Sequence, residues 1–186
     1  MLLKQVSEGP YLYAAEDIFP ERFVDLVNGI PWADRPYDRL PIGRSLRRAI
    51  LYSDTIDREM DTYCRCQLRA DIEQQANIKF TQDSEYSFMY WLDEPGFRPI
   101  RHTDGDKPSA LQIYWTDQPD LGTAFYTDKD SEQTIYTFAS RPNTGYLMLN
   151  QPEPGRPELW HDMEREVPAG VMRLCLYLGF GPYQRL

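Results

Sequence analysis

The chain contains two histidines, His102 and His161. His102 opens the run His102-Thr103-Asp104. On a strand, residues i and i+2 point to the same face, so this spelling would set an imidazole beside a carboxylate. His161 follows after the glycine-led apolar run Gly145–Leu149 and a proline-rich turn. Two imidazoles and one carboxylate on one side of an ion leave open coordination positions, and that donor set suits divalent iron. No thiolate is offered alongside them that would favour a structural zinc. His-x-Asp alone is a weak signal, because a surface histidine beside an Asp-Gly turn has the same spelling.

Arg173 is the second residue with chemical potential. It lies in Val171–Leu178, otherwise an apolar run, where Arg173, Cys175 and Tyr177 share one strand face and Leu174, Leu176 and Leu178 the other. A guanidinium inside a buried strand requires an anion, because an unpaired buried charge costs several kcal/mol. Its planar fork matches a carboxylate at two points. That anion is either one of the chain's own acids or a bound carboxylate, and the sequence leaves both open.

These residues need a frame. Pro20–Asn28 reads as a short helix with proline in its first turn and Asn28-Gly29 closing it. Residues 31 to 49 read as loop, punctuated by Pro31, Pro36, Pro41 and Gly43. A longer helix is expected from Asp54 to Ala76, with Ile56, Met60, Tyr63, Cys64, Leu68 and Ile72 near a 3.6-residue period. After Thr81 the pattern becomes short apolar or alternating runs between turn clusters: Tyr86–Leu92, Ala110–Thr116, Thr123–Tyr126, Ile135–Ala139, Gly145–Leu149 and Val171–Leu178. Such strands, closely spaced, predict a sandwich or barrel. The expected organisation is a single domain over 1–186, with residues 1–80 as helical support for a β core over 81–186.

Composition narrows the function classes. The chain has 186 residues, 41% apolar and 26% charged, with eight phenylalanines, thirteen tyrosines and four tryptophans. That is enough for a packed core without disulfide staples, and it excludes general disorder, collagen and coiled coil. A net charge of −9 argues against nucleic acid and anionic membrane as partners. The longest apolar run, Leu174–Gly181, is too short to span a bilayer. The opening MLLKQVSEGPYLY has no basic region leading into an apolar stretch, so no secretion signal is expected. The three cysteines, Cys64, Cys66 and Cys175, form no disulfide framework. Reduced thiols in a cytoplasmic protein are expected.

The order of these features carries a resemblance. His102-Thr103-Asp104, then Gly122–Phe125, then Gly145–Leu149, then His161, then Arg173 is similar to the Fe(II)/2-oxoglutarate-dependent oxygenase superfamily, in its prolyl-hydroxylase-like branch. The matching stretches are FRPIRHTDGD, LQIYWTD, LGTAFY, NTGYLML, ELWHDMEREVPAG and RLCLYLGF, which span about residues 86 to 180. The resemblance implies a double-stranded β-helix, or jelly roll, buttressed by N-terminal helices. It implies iron held by His102, Asp104 and His161, and 2-oxoglutarate as cosubstrate anchored by Arg173 with Tyr114 assisting. Gln112, on the same strand face as Tyr114, is a further pocket contact. O2 would be consumed and succinate and CO2 released while a C–H bond is hydroxylated. Family members that halogenate lack the carboxylate at the Asp104 position, so its presence implies hydroxylation. The chain departs from the family pattern at Leu121-Gly122, usually two glycines, and at Asp162-Met163, more often glycine and valine. Asp106 and Asp162 are additional carboxylates near the ligand positions.

The implied substrate is a small molecule or an amino-acid or peptide side chain, and oligomeric state is left open. Arg35, Arg39, Arg44, Arg47 and Arg48, with Arg98 and Arg101, either form a solvated face or cap the mouth of the site against an anionic substrate group. Two other readings remain. One is a cupin-like metal enzyme that uses no 2-oxoglutarate. The other is a β-helix module that binds a partner without catalysis.

Overall fold

A computed structural model describes residues 1–7, 9, 11–40, 46–51, 55–81, 86–104, 107–150 and 158–186. Pro41, Gly43, Arg44, Asp54, Asp106 and the proline-rich turn at 151–157, all singled out in the sequence, lie outside the described residues. The described elements are β1 (Leu2–Gln5), β2 (Leu12–Glu16), α1 (Glu21–Asn28), β3 (Tyr37–Arg39), β4 (Arg47–Ile50), α2 (Thr55–Tyr63), α3 (Arg69–Ala76), β5 (Ile78–Phe80), β6 (Ser87–Asp93), β7 (Ser109–Tyr114), β8 (Gln118–Tyr126), β9 (Thr134–Ser140), β10 (Thr144–Leu149), β11 (Trp160–Asp162), β12 (Arg173–Phe180) and β13 (Tyr183–Arg185).

Eight strands form one sheet in the order β1-β2-β10-β7-β12-β6-β4-β3, and three form a second in the order β11-β8-β9. Every described pairing is antiparallel. This is a jelly roll, built by the period-2 patterning that the sequence shows after Thr81. The two faces of the large sheet bury different cores. Leu111, Ile113, Leu147, Leu174, Leu176 and Leu178 point to the helices and pack with Phe23, Met60, Leu68 and Ile72. Ala110, Tyr114, Tyr146, Met148 and Cys175 point the other way and pack with Phe125 and Phe138 of the small sheet. Of the chemistry-bearing residues, Gln112, Tyr114 and Arg173 sit on this second face, and His161 lies on β11 of the small sheet.

The long helix spans Thr55–Ala76, with a π-helical turn at Cys64–Leu68 joining α2 and α3. Its buried apolar residues are Met60, Cys64, Leu68, Ile72 and Ala76. They recur every four positions, whereas an α-helix returns to the same face every 3.6. A wider π turn absorbs that mismatch and keeps the stripe aimed at the core.

The first eighty residues differ from the expected helical support. They contribute five strands, and β1 to β4 belong to the large sheet. Within 31–49 the structure has a 3₁₀ turn at Trp32–Asp34 and the strands β3 and β4, where the sequence reads as loop. Prolines and clustered arginines mask these strands, because their stability comes from the pairing of β3 with β4 and of β4 with β6 and not from an apolar alternation. The short strands β5, β11 and β13 carry too few residues to show a period. Cys64, Cys66 and Cys175 are unpaired thiols. No described helix is long and apolar enough to cross a membrane.

Candidate active site

His102 and His161 face each other as an isolated antiparallel bridge: the His102 N–H donates to the His161 carbonyl at 3.1 Å, and the His161 N–H to the His102 carbonyl at 2.8 Å. Their rings lie 4.4 Å apart between centroids. His102 is in a bridge and not a regular strand, so the expected strand alternation is not what aims Asp104. Asp104 instead reaches the histidines from an irregular segment. That segment is fixed by Asn150 Nδ2 and the Lys107 N–H, which donate to the Asp104 carbonyl at 2.7 and 2.8 Å.

The Asp104 carboxylate lies 3.7 Å from His102 Nε2 and 3.8 Å from His161 Nε2. These separations are too long for direct hydrogen bonds and within reach of one shared ion. The donor atoms of the three residues all fall within 4.8 Å of one another, the single such cluster of histidine, cysteine and carboxylate among the described residues. Each imidazole bonds a backbone carbonyl through Nδ1, His102 to Ile100 at 2.8 Å and His161 to Leu159 at 3.2 Å. That partner fixes the proton on Nδ1 and leaves Nε2 as a lone-pair donor toward Asp104. Burial lowers the His161 pKa, with the nearby Asp104 carboxylate acting against it, so the neutral form that binds metals is favoured. Phe125 stacks on His161 at 5.1 Å and shields it from water.

Asp162, one of the two additional carboxylates near the ligand positions, is already engaged. Arg101 Nε donates to it at 3.2 Å and the Tyr126 hydroxyl at 3.1 Å. Arg101 in turn lies 3.3 Å over the Tyr126 ring. This brace ties the residue before one histidine to the residue after the other.

A cavity of about 380 Å³ opens beside the cluster, lined by the two histidines and Asp104 together with Arg47, Gln112 and Arg173. That volume suits a small-molecule ligand. Arg173 is fully buried. Its Nη1 donates to Asp93 at 2.7 Å, while Nε and Nη2 have no hydrogen-bond partner among the described residues. These two nitrogens form one edge of the guanidinium, the edge that grips a carboxylate at two points. An unmet fork in a buried cavity fits a carboxylate ligand, and the histidine-aspartate cluster fits a divalent iron.

Tyr114 stands one layer behind the cavity wall. It is completely buried, its ring 5.2 Å from the Arg173 guanidinium, and its hydroxyl donates to Thr123 Oγ1 at 2.8 Å. Thr123 itself lines the cavity. Burial raises the Tyr114 pKa, so the phenol remains neutral.

The described arginines of the loop-like region are all paired: Arg35 with Asp57, Arg39 and Arg48 with Glu94, Arg47 with Asp93. Of these, Arg47 also lines the cavity. Arg98 donates to the Met163 carbonyl. Sequence reasoning missed Asp93 altogether, an acid at the end of an apolar strand. Its place directly after the apolar run Tyr86–Leu92 was the one signal the sequence carried.

No protein-family model matches the sequence, and no curated protein matches it. Solved structures do resemble it in three dimensions. A prolyl-4-hydroxylase from Pseudomonas putida superposes with a TM-score of 0.64 at 15% identity, over 91% of this chain and 92% of that one. An oxidoreductase of the 2OG-Fe(II) oxygenase family from Burkholderia pseudomallei gives 0.64 at 12% identity, over 94% and 88%. The viral collagen prolyl hydroxylase of Paramecium Bursaria Chlorella virus-1 gives 0.56 at 12% identity, over 98% and 100%. At such identities the likeness is one of fold. The chain has the jelly-roll fold of the 2OG-Fe(II) oxygenases, in the form that prolyl hydroxylases take.

Proposed function

We propose that this chain is an Fe(II)- and 2-oxoglutarate-dependent dioxygenase that hydroxylates a C–H bond of a small molecule or of an amino-acid or peptide side chain. One observation carries the reading: a histidine-aspartate-histidine donor set and an unmet buried guanidinium fork line the same cavity. His102 and His161 would bind iron through Nε2, with their Nδ1–carbonyl bonds holding both rings in plane, and Asp104 would supply the charged oxygen. Arg173 would grip the distal carboxylate of 2-oxoglutarate. Tyr114 would support that site through Thr123, whose hydroxyl reaches the cavity. Iron with 2-oxoglutarate and O2 supplies the oxidising power, releasing succinate and CO2 as the substrate is hydroxylated. Phe125 and the buried strand face exclude water from the histidines. The Asp104 carboxylate supports hydroxylation over halogenation. The free cysteines are consistent with a reducing, cytoplasmic setting, and the sheet shared by residues before and after 80 supports one domain.

The test is succinate production from 2-oxoglutarate by iron-loaded protein, followed by a screen for metabolites that raise turnover. Slow succinate release without substrate, accelerated by one compound class, is expected. Tight iron binding with no affinity for 2-oxoglutarate would favour the cupin-like alternative. Failure to bind either would favour a non-catalytic module.

A further inference from the structure

Arg47, Asp93 and Arg173 occupy one row across three adjacent strands. Asp93 at the end of β6 stands in register with Arg47 on β4 and with Arg173 on β12. Directly opposed residues of neighbouring strands share a face, so two guanidiniums flank one carboxylate. Asp93 is fully buried, and both arginines line the cavity.

The carboxylate is shared unequally. Arg47 engages both oxygens, Nε to Oδ1 at 2.5 Å and Nη2 to Oδ2 at 3.0 Å. Arg173 contributes only Nη1, to Oδ2 at 2.7 Å. An isolated arginine–aspartate pair gains most from a two-point arrangement, so Asp93 facing Arg173 alone would turn its second oxygen to Nη2, beside the Nη1 it already holds, and break up the Nε–Nη2 edge. Arg47 denies it that geometry. The Arg47 guanidinium is itself confined, 4.4 Å from the Phe97 ring and 5.3 Å from that of Trp91. Charge points the same way. Two cations and one anion leave the row with one positive charge in excess, and removing Arg47 would neutralise it.

We propose that Arg47 is a positioning residue for 2-oxoglutarate: by occupying both oxygens of Asp93 it keeps the Nε–Nη2 edge of Arg173 open, and the row cationic, for the cosubstrate's distal carboxylate. This rests on the reading of the cavity as a 2-oxoglutarate site. Asp93 is then a built-in competitor for Arg173, held off by Arg47.

Calorimetric titration of Mn(II)-loaded protein tests it, with 2-oxoglutarate as ligand and pyruvate, which lacks the distal carboxylate, as control. Arg47→Ala should weaken 2-oxoglutarate by about ten- to a hundredfold, the worth of a charged hydrogen-bonded contact, and leave pyruvate unchanged. Adding Asp93→Asn to that variant should restore most of the affinity, because the competing carboxylate is gone and the excess charge returns. A purely structural role for Arg47 predicts further loss in the double variant. Arg47→Lys, which keeps charge without the fork, should show a smaller loss and serves if Arg47→Ala does not fold, as thermal melting reports. Wild-type affinity in Arg47→Ala and Arg47→Lys overturns the proposal, as does a double variant no better than Arg47→Ala. Wild-type protein that binds Mn(II) but not 2-oxoglutarate overturns the cosubstrate reading itself, and this role with it.

Discussion

Burying a guanidinium with two donors unbonded costs free energy, and Arg173 carries that cost whenever its fork is empty. A bound carboxylate would recover it. Arg173→Ala should therefore weaken 2-oxoglutarate by about ten- to a hundredfold, taking 1.5–3 kcal/mol for a charge-assisted contact. Iron affinity should stay nearly unchanged, since no ligand atom is touched. Arg173→Lys should fall between, keeping charge but losing the fork. Titration of each variant with 2-oxoglutarate and separately with Fe(II) reads both quantities. His161→Ala makes the opposite split. It removes a donor held by a backbone bridge that the substitution does not touch, so iron binding should vanish while the far-ultraviolet spectrum is retained. Loss of folded structure on removing that imidazole would instead point to a structural metal.

At the scale of elements, two glycines that the sequence marks as family-like have a steric reason. A Cβ on Gly145 would fall 1.9 Å from the Gln112 carbonyl oxygen on β7, and one on Gly122 would fall 1.5 Å from that of Phe138 on β9. Both obstacles are backbone, so strands and not side chains would have to move. Gly145→Ala should prise β10 from β7 beside Gln112, a cavity residue. The expected cost is about 1–3 kcal/mol, as for overpacking, or a fall in melting temperature of roughly 2–12 °C for a chain of this length. Scanning calorimetry reads it. Helices and strands with a clear period were legible from residue types: α1 begins one residue after Pro20, and Val171–Leu178 contains most of β12. The short β3, β4 and β11 were not, because three or four residues cannot display a period and their pairing partners lie far along the chain.

For the molecule as a whole, the excess of acids over bases makes low pH the informative direction. Burial would raise the Asp93 pKa, but the Arg47 and Arg173 guanidiniums outweigh it and hold the carboxyl below its usual range. A depressed native pKa stabilises the fold above the unfolded value of about 3.9 and is lost as pH falls through the native value. Glu94, lowered by Arg39 and Arg48 against a desolvation that raises it, acts in the same sense at the sheet edge. Wild-type melting temperature should therefore hold from neutral pH to about 5 and decline below about 4. Asp93→Asn should melt lower at neutral pH, and the gap to wild type should narrow as acid protonates Asp93. A gap constant from pH 7 to 3 would show that this carboxylate contributes no charge-dependent stability.

The sequence by itself determined the donor types and the patterning. Two histidines, an aspartate two residues from one of them and an arginine in an alternating leucine strand spell out the chemistry. Period-2 runs after Thr81 spell out the β core. Only the tertiary structure decided which atoms meet. It turned Asp104 toward both Nε2 atoms from an irregular segment, withdrew Tyr114 behind Thr123, and engaged Asp162 with Arg101 and Tyr126. It also set Arg47, Asp93 and Arg173 in one row across β4, β6 and β12. The physical reason is range. Side-chain period follows from local backbone geometry, which a few consecutive residues encode. Register between strands depends on the fit of whole faces from remote segments, where a one-residue slip would turn every side chain to the other side of the sheet.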